Sequence, residues 1–168
     1  QDIDTYSERR IETNEDLIYS DFINYIENIG YEKVDNVIEV GTYANRGGII
    51  DIFSSNYNYP IRLDFFGDNI ETIRYFDYQS QKTIKSVNSI SLFPFSEIYL
   101  FDDNINNFRR SYIHNFKRKE KDYIYESITS GQRINGLEQY LPLFFDKLKT
   151  LDSAIPNARV IISETSRF

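Results

Sequence analysis

The chain has 168 residues with 19 basic and 26 acidic side chains, one His and no Cys, Met or Trp, for a formal net charge of −7. That is one domain or two small ones, without a disulfide framework, a thiolate zinc site, a cysteine nucleophile or a histidine-rich metal cluster. Apolar residues make up 40% and aromatics 16%, enough to bury a core, and no apolar run approaches the roughly 18 residues that span a bilayer. Gln1 to Ile11 is polar with no signal-peptide pattern, so a cytoplasmic location is the default expectation. A chain that opens QDIDTYSERR and contains no Met reads as a piece of something longer.

In chain order, Thr13 or Asn14 can cap a helix on which Leu17, Phe22, Ile26 and Ile29 recur at helical spacing, ended by Gly30. Val37 to Tyr43, Ile49 to Phe53, Ile61 to Phe66, Ile70 to Phe76 and Val87 to Phe93 are β-branched and aromatic runs separated by turn residues, which reads as an antiparallel sheet. Gly67-Asp68 between two such runs marks residues 61 to 76 as a tight hairpin. Near Pro94 the pattern changes to helical periodicity. Asp102-Asp103 suits a helix start, with Ile105, Phe108, Tyr112 and Phe116 forming one apolar stripe. A short helix is expected at Tyr123 to Thr129, a Pro-interrupted apolar segment at 136 to 145, and a buried strand in ARVIIS at 158 to 163. The fold class is therefore α+β: a helix on an antiparallel sheet over 1–94, then a partial α/β segment over 95–168.

Catalysis is not expected. None of the seven glycines stands in a GxxxxGK[ST] or GxGxxG arrangement, so no phosphate-cradling loop exists. His114 sits among Arg109, Arg110, Lys117 and Arg118 with no carboxylate to orient it. The stretch 109–121 interleaves cations with aromatics as a nucleic-acid binder does, but its aromatics fall on the core stripe and the net charge opposes such binding.

The hairpin carries the clearest recognition signal. Along IRLDFF, period-two alternation puts Ile61, Leu63 and Phe65 on one face and Arg62, Asp64 and Phe66 on the other. With the first face in the core, the second offers an arginine and an aromatic, both frequent interface anchors. Arg46 joins them if its turn folds over that face, and Gly47 and Gly48 permit such a turn. The competing reading has Phe66 packed under a loop and Arg62 paired with Asp64 or Asp51, contributing little.

The same segments carry a resemblance. EVGTYANRGGIIDIF at 39–53, YPIRLDFFGDNIETIRYFDYQSQKTI at 59–84 and ISLFPFSEI at 90–98 resemble the UvrB-like module shared by the excinuclease subunit UvrB and the bacterial transcription-repair coupling factors (Mfd). GLEQYLPLFF at 136–145 is similar to the segment that follows this module in the coupling factors, which favours them over UvrB itself. The resemblance implies that 1–94 binds the protein UvrA, that 95–168 is the second half of a degenerate UvrB-like domain lacking ATPase motifs, and that no cofactor is bound here. It further implies a longer parent that translocates on double-stranded DNA with ATP and displaces stalled RNA polymerase through other domains. The family's UvrA contacts, an Arg in the RGG turn, an Arg opening the next strand and an aromatic closing it, match Arg46, Arg62 and Phe66, with Gly47, Gly48 and Asp64 in support. Ser54-Ser55 stands where the family pattern has a proline. The absent first half of the UvrB-like domain would leave apolar surface on 95–168 uncovered, making that part poorly ordered or self-associating.

Overall fold

A computed structural model of the chain describes residues 8–116 and 122–148. Its elements in order are β1 (Arg9–Glu12), α1 (Tyr19–Asn28), β2 (Glu32–Lys33), β3 (Thr42–Arg46), β4 (Ile49–Ile52), β5 (Ile61–Phe66), β6 (Asn69–Phe76), β7 (Thr83–Val87), β8 (Ser89–Leu92), α2 (Asp102–Asn115), α3 (Tyr123–Thr129) and a 3₁₀ segment, Leu137–Leu143. The fold is α+β. Six strands form one sheet in the order β2-β3-β4-β5-β6-β7, while β1 and β8 form a separate antiparallel ribbon.

The alternation read along β5 is realised: Ile61, Leu63 and Phe65 are buried and pack in one cluster with Phe22, Ile26 and Ile29 of α1. Ile50, Ile52, Ile70 and Ile73 of the neighbouring strands join it, as do Ile11, Ile90 and Leu92 of the ribbon. Ring contacts lock helix to sheet, with Phe65 meeting Tyr19 edge-on at 5.2 Å and Phe22 at 6.2 Å between centroids.

Several expectations are corrected. The sheet is mixed rather than wholly antiparallel, because β2 runs parallel to β3 at one edge. Val37 to Gly41 is not a strand: Val37 is buried against Ala44 and Phe53, so this stretch lies as a loop over part of the outer face of the sheet, and pairing begins at Thr42. Val87 to Phe93 splits between β7 and β8 in different sheets, since β7 is an edge strand almost wholly exposed and offers no apolar alternation to read. The stripe of α2 ends at Tyr112, and Phe116 lies beyond the helix, 47% exposed.

The helix cap is also reassigned. Thr13 and Asn14 donate backbone N–H groups to Asn88 and Ile70 carbonyls, holding the chain between ribbon and hairpin. α1 starts later, at Tyr19, whose N–H is accepted by the Asp68 carboxylate at 3.0 Å while Leu17 N–H donates to the Asp68 carbonyl at 2.7 Å. The hairpin turn caps the helix from 49 residues away, placing a carboxylate at the positive end of the dipole. Asp68→Ala is expected to cost about 1 kcal/mol in urea unfolding.

Beyond Pro94 a second cluster forms from Ile98, Leu100, Ile105, Phe108, Tyr112, Ile128, Leu137 and Phe144. α3 occupies the expected residues, and Asp122 caps it while accepting from the Tyr112 hydroxyl at 3.0 Å. Ile113, Phe116, Tyr123 and Leu148 are exposed here. The strand expected at 158–163 and the basic run 117–121 lie outside the described residues.

Arg133 bridges the clusters, donating from Nη2 to the carbonyls of Asn28 at 2.7 Å and Ile98 at 2.8 Å and from Nη1 to Ser96 Oγ at 2.9 Å. Gly30 makes the junction possible: its φ is +108°, and a Cβ there would lie 2.5 Å from that of Ser96.

Burial pushes the Tyr31 hydroxyl up to about 12, and Tyr75 and Tyr112 likewise to about 12, chiefly by desolvation. Unfolded tyrosine ionises near 10. The folded state favours the neutral phenol, so its contribution is complete below about pH 10 and disappears as pH rises toward 12. Melting temperature is expected to fall steeply over that window, and Tyr31→Phe to flatten the fall, as thermal melts by circular dichroism would read.

A candidate partner-binding face

The sheet's second face is ordered by strand register into two transverse rows. Arg46, Ile49, Asp64 and Thr72 stand opposite one another in the first, and Ala44, Asp51, Arg62, Arg74 and Ser86 in the second. Arg46 therefore shares the face of Arg62, Asp64 and Phe66, two strands and about 10 Å from β5. The turn geometry explains why the glycines are needed. Gly47 adopts φ +59°, and a Cβ on Gly48 would lie 2.7 Å from the Phe65 carbonyl oxygen. That close approach lets Phe65 N–H donate to the Gly48 carbonyl at 2.7 Å, beside the register shift between Asp64 and Phe65. The bulge and the Asp68 anchor together hold the end of β5 in place.

Phe66 is 76% exposed, so it does not pack under a loop. The other half of the competing reading holds only in part: Arg62 pairs with Asp51, through Nε to Oδ1 at 2.6 Å and Nη2 to Oδ2 at 2.7 Å, but Asp51 is not a surface partner. Asp51 is buried, 5% exposed, and its hydrogen bonds push the Arg62 guanidinium further above its already high range. Arg62 Nη2 also donates to Gln81 Oε1 at 3.0 Å, and the guanidinium carbon lies 4.4 Å from the centroid of the Phe76 ring.

Arg62 and Arg74 face each other across the strands, a repulsive pair by itself. Asp51 offsets one, and Asp64 offsets the other through a 2.6 Å ion pair with Arg74 Nη2 while also accepting from the Thr72 hydroxyl. Arg46 meets no carboxylate among the described residues. Its Nη2 donates to the Asp35 carbonyl and to Asn36 Oδ1, both at 2.5 Å, so its charge faces only neutral oxygens.

Arg62, Asp64 and Phe66 thus lie on one face, as the alternation required, and the register brings Arg46 to the same side. Sequence reasoning missed Arg74 and Gln81 and saw in Asp51 only a bland surface partner. Strict alternation from β5 through the turn into β6 would put Arg74 on the core face, and it is the bulge, which leaves Glu71 without a partner in the register, that turns Arg74 outward. Nothing local signals Gln81 either, which reaches the face from the β6–β7 turn. His114 is exposed in the last turn of α2, and Asp102 and Asp103 sit in its first turn, where they serve the helix dipole. Among the described residues no group of three or more His, Cys, Asp or Glu side chains could hold a metal ion, and no helix is long and apolar enough to cross a membrane.

This face carries an exposed aromatic and several arginines on a β-hairpin and the strands beside it, residue types that most often anchor protein interfaces. A family model described as the UvrB interaction domain matches residues 10–99, and the chain belongs to that family. Its relatives include the transcription-repair-coupling factor of Haemophilus influenzae, 37% identical over 139 residues, a match covering 82% of this chain and 12% of the relative. That of Escherichia coli is 35% identical over 140 residues, with the same coverage of 82% and 12%. That of Bacillus subtilis is 27% identical over 177 residues, covering 96% of this chain and 15% of the relative. The chain thus spans a small fraction, 12% in the first case, of the length of the curated relatives it matches.

Proposed function

We propose that this chain is a non-catalytic recognition module that recruits UvrA in transcription-coupled nucleotide-excision repair, binding it through Arg46, Arg62 and Phe66. The observation that carries the reading is Phe66, a large aromatic 76% exposed on the same sheet face as Arg46 and Arg62, in a chain whose relatives are transcription-repair-coupling factors. Phe66 buries in an apolar recess of the partner while the guanidiniums supply directional hydrogen bonds at its rim. Residues 1–94 act as the binding domain, and 95–168 as the partial second domain. The longer parent couples ATP-driven movement on double-stranded DNA to displacement of stalled RNA polymerase, through domains that this chain does not contain.

Contact with nucleic acid through 109–121 has less support. Tyr112 is buried, and the Arg109 and Arg110 guanidiniums are occupied by Asn106, Asn107 and the Thr129 carbonyl. Calorimetric titration of purified UvrA with the chain tests the proposal. Saturable binding is expected, and Arg46→Glu is expected to weaken it by at least about tenfold, since reversing a charge that no carboxylate among the described residues neutralises opposes an acidic partner surface. Absence of binding by the unsubstituted chain would overturn it.

A further inference from the structure

The Arg62 guanidinium is held on three sides. Both oxygens of Asp51 take Nε and one Nη2 proton, Gln81 Oε1 takes the other Nη2 proton, and the Phe76 ring lies against its plane at 4.4 Å. Among the described residues Nη1 makes none of these bonds, which leaves its protons for another molecule. Asp51 sits on β4 directly opposite Arg62 and is itself 5% exposed, so a partner does not reach it. A free arginine would surrender several rotatable bonds on binding, whereas one clamped in this way has lost that freedom on folding.

We infer that Asp51 is a positioning residue for partner recognition, fixing Arg62 so that Nη1 alone is presented to an acceptor oxygen of UvrA. The inference rests on the UvrA reading above and adds a residue to it. The contact is a directed hydrogen bond from a charge already balanced, and its strength depends on orientation more than on net charge. Arg46, with no carboxylate beside it among the described residues, differs from Arg62 in that its guanidinium meets only the neutral oxygens of Asp35 and Asn36.

A double-mutant cycle read by titration into UvrA tests this. Asp51→Asn keeps the shape of the side chain but removes the charge and one acceptor, and it is expected to weaken UvrA binding about tenfold when Arg62 is present. In the Arg62→Ala background the same change is expected to alter affinity less than about twofold, because no guanidinium remains to be placed. Equal cost in both backgrounds would overturn the inference and make Asp51 a support of the sheet alone. Absence of binding by the unsubstituted chain would overturn both this and the UvrA reading. If Asp51→Asn does not fold, the Arg62 Nε proton in the unsubstituted chain decides by nuclear magnetic resonance: slow exchange with water, kept in the complex, supports the clamp, and fast exchange overturns it.

Discussion

Phe66→Ala weakens UvrA binding by about 30-fold or more and leaves the urea unfolding midpoint unchanged: this is the first expected result. The size follows from the role of a central aromatic anchor, which contributes about 2 kcal/mol or more when it fills a recess of a partner. The neutrality toward folding follows from exposure, because a side chain 76% in solvent contributes little to the core. Its backbone is held independently of its ring, by the Gly48–Phe65 hydrogen bond and the Asp68 cap on α1. Loss of binding together with loss of stability would mean that Phe66 serves the fold. Unchanged binding would remove it from the contact, and calorimetry beside urea titration separates the three outcomes.

The second large effect is expected in the other cluster. Phe108 is fully buried, its ring 5.0 Å from Phe144, 5.1 Å from Tyr112 and 6.4 Å from Tyr125 between centroids. Phe108→Ala removes the centre of that arrangement and is expected to cost about 3 to 5 kcal/mol in the stability of the second cluster. The buried residues of the two clusters do not overlap, and the hairpin's belong to the first. UvrA affinity is therefore expected to stay within about twofold of the unsubstituted chain. Circular dichroism should show an early unfolding transition for the variant, followed by the hairpin's own. A single transition with binding lost would mean that the two parts fold as one unit, with Arg133 as their coupling.

Where local physics suffices, the chain is legible from its residues. β5 was readable because alternation of Ile61, Leu63 and Phe65 with Arg62, Asp64 and Phe66 is a property of strand geometry alone. The same holds for α3 and for the Gly67 turn, whose φ of +62° suits glycine without help from elsewhere. The capping of α1 was misplaced because the group that satisfies Tyr19 lies in Asp68, and a local scan can only offer Thr13 or Asn14. β1 escaped because its single buried residue, Ile11, gives no period, and its partner β8 lies some 80 residues away in the chain.

The candidate face divides in the same way. Alternation along β5 determined that Arg62, Asp64 and Phe66 share it, the Gly47-Gly48 turn allowed Arg46 to be added, and the bulge in the hairpin brought Arg74 to the same side. Only the tertiary structure decided that Arg62 is clamped by Asp51 and Gln81, that Arg46 meets no carboxylate among the described residues, and that Phe66 stands in solvent. The reason is physical: the side on which a residue points follows from its own backbone torsions, whereas what it meets there depends on strands and turns brought beside it by burial of the opposite face. One face of the sheet was written in single strands, and the arrangement of charge on the other arose from packing six of them together.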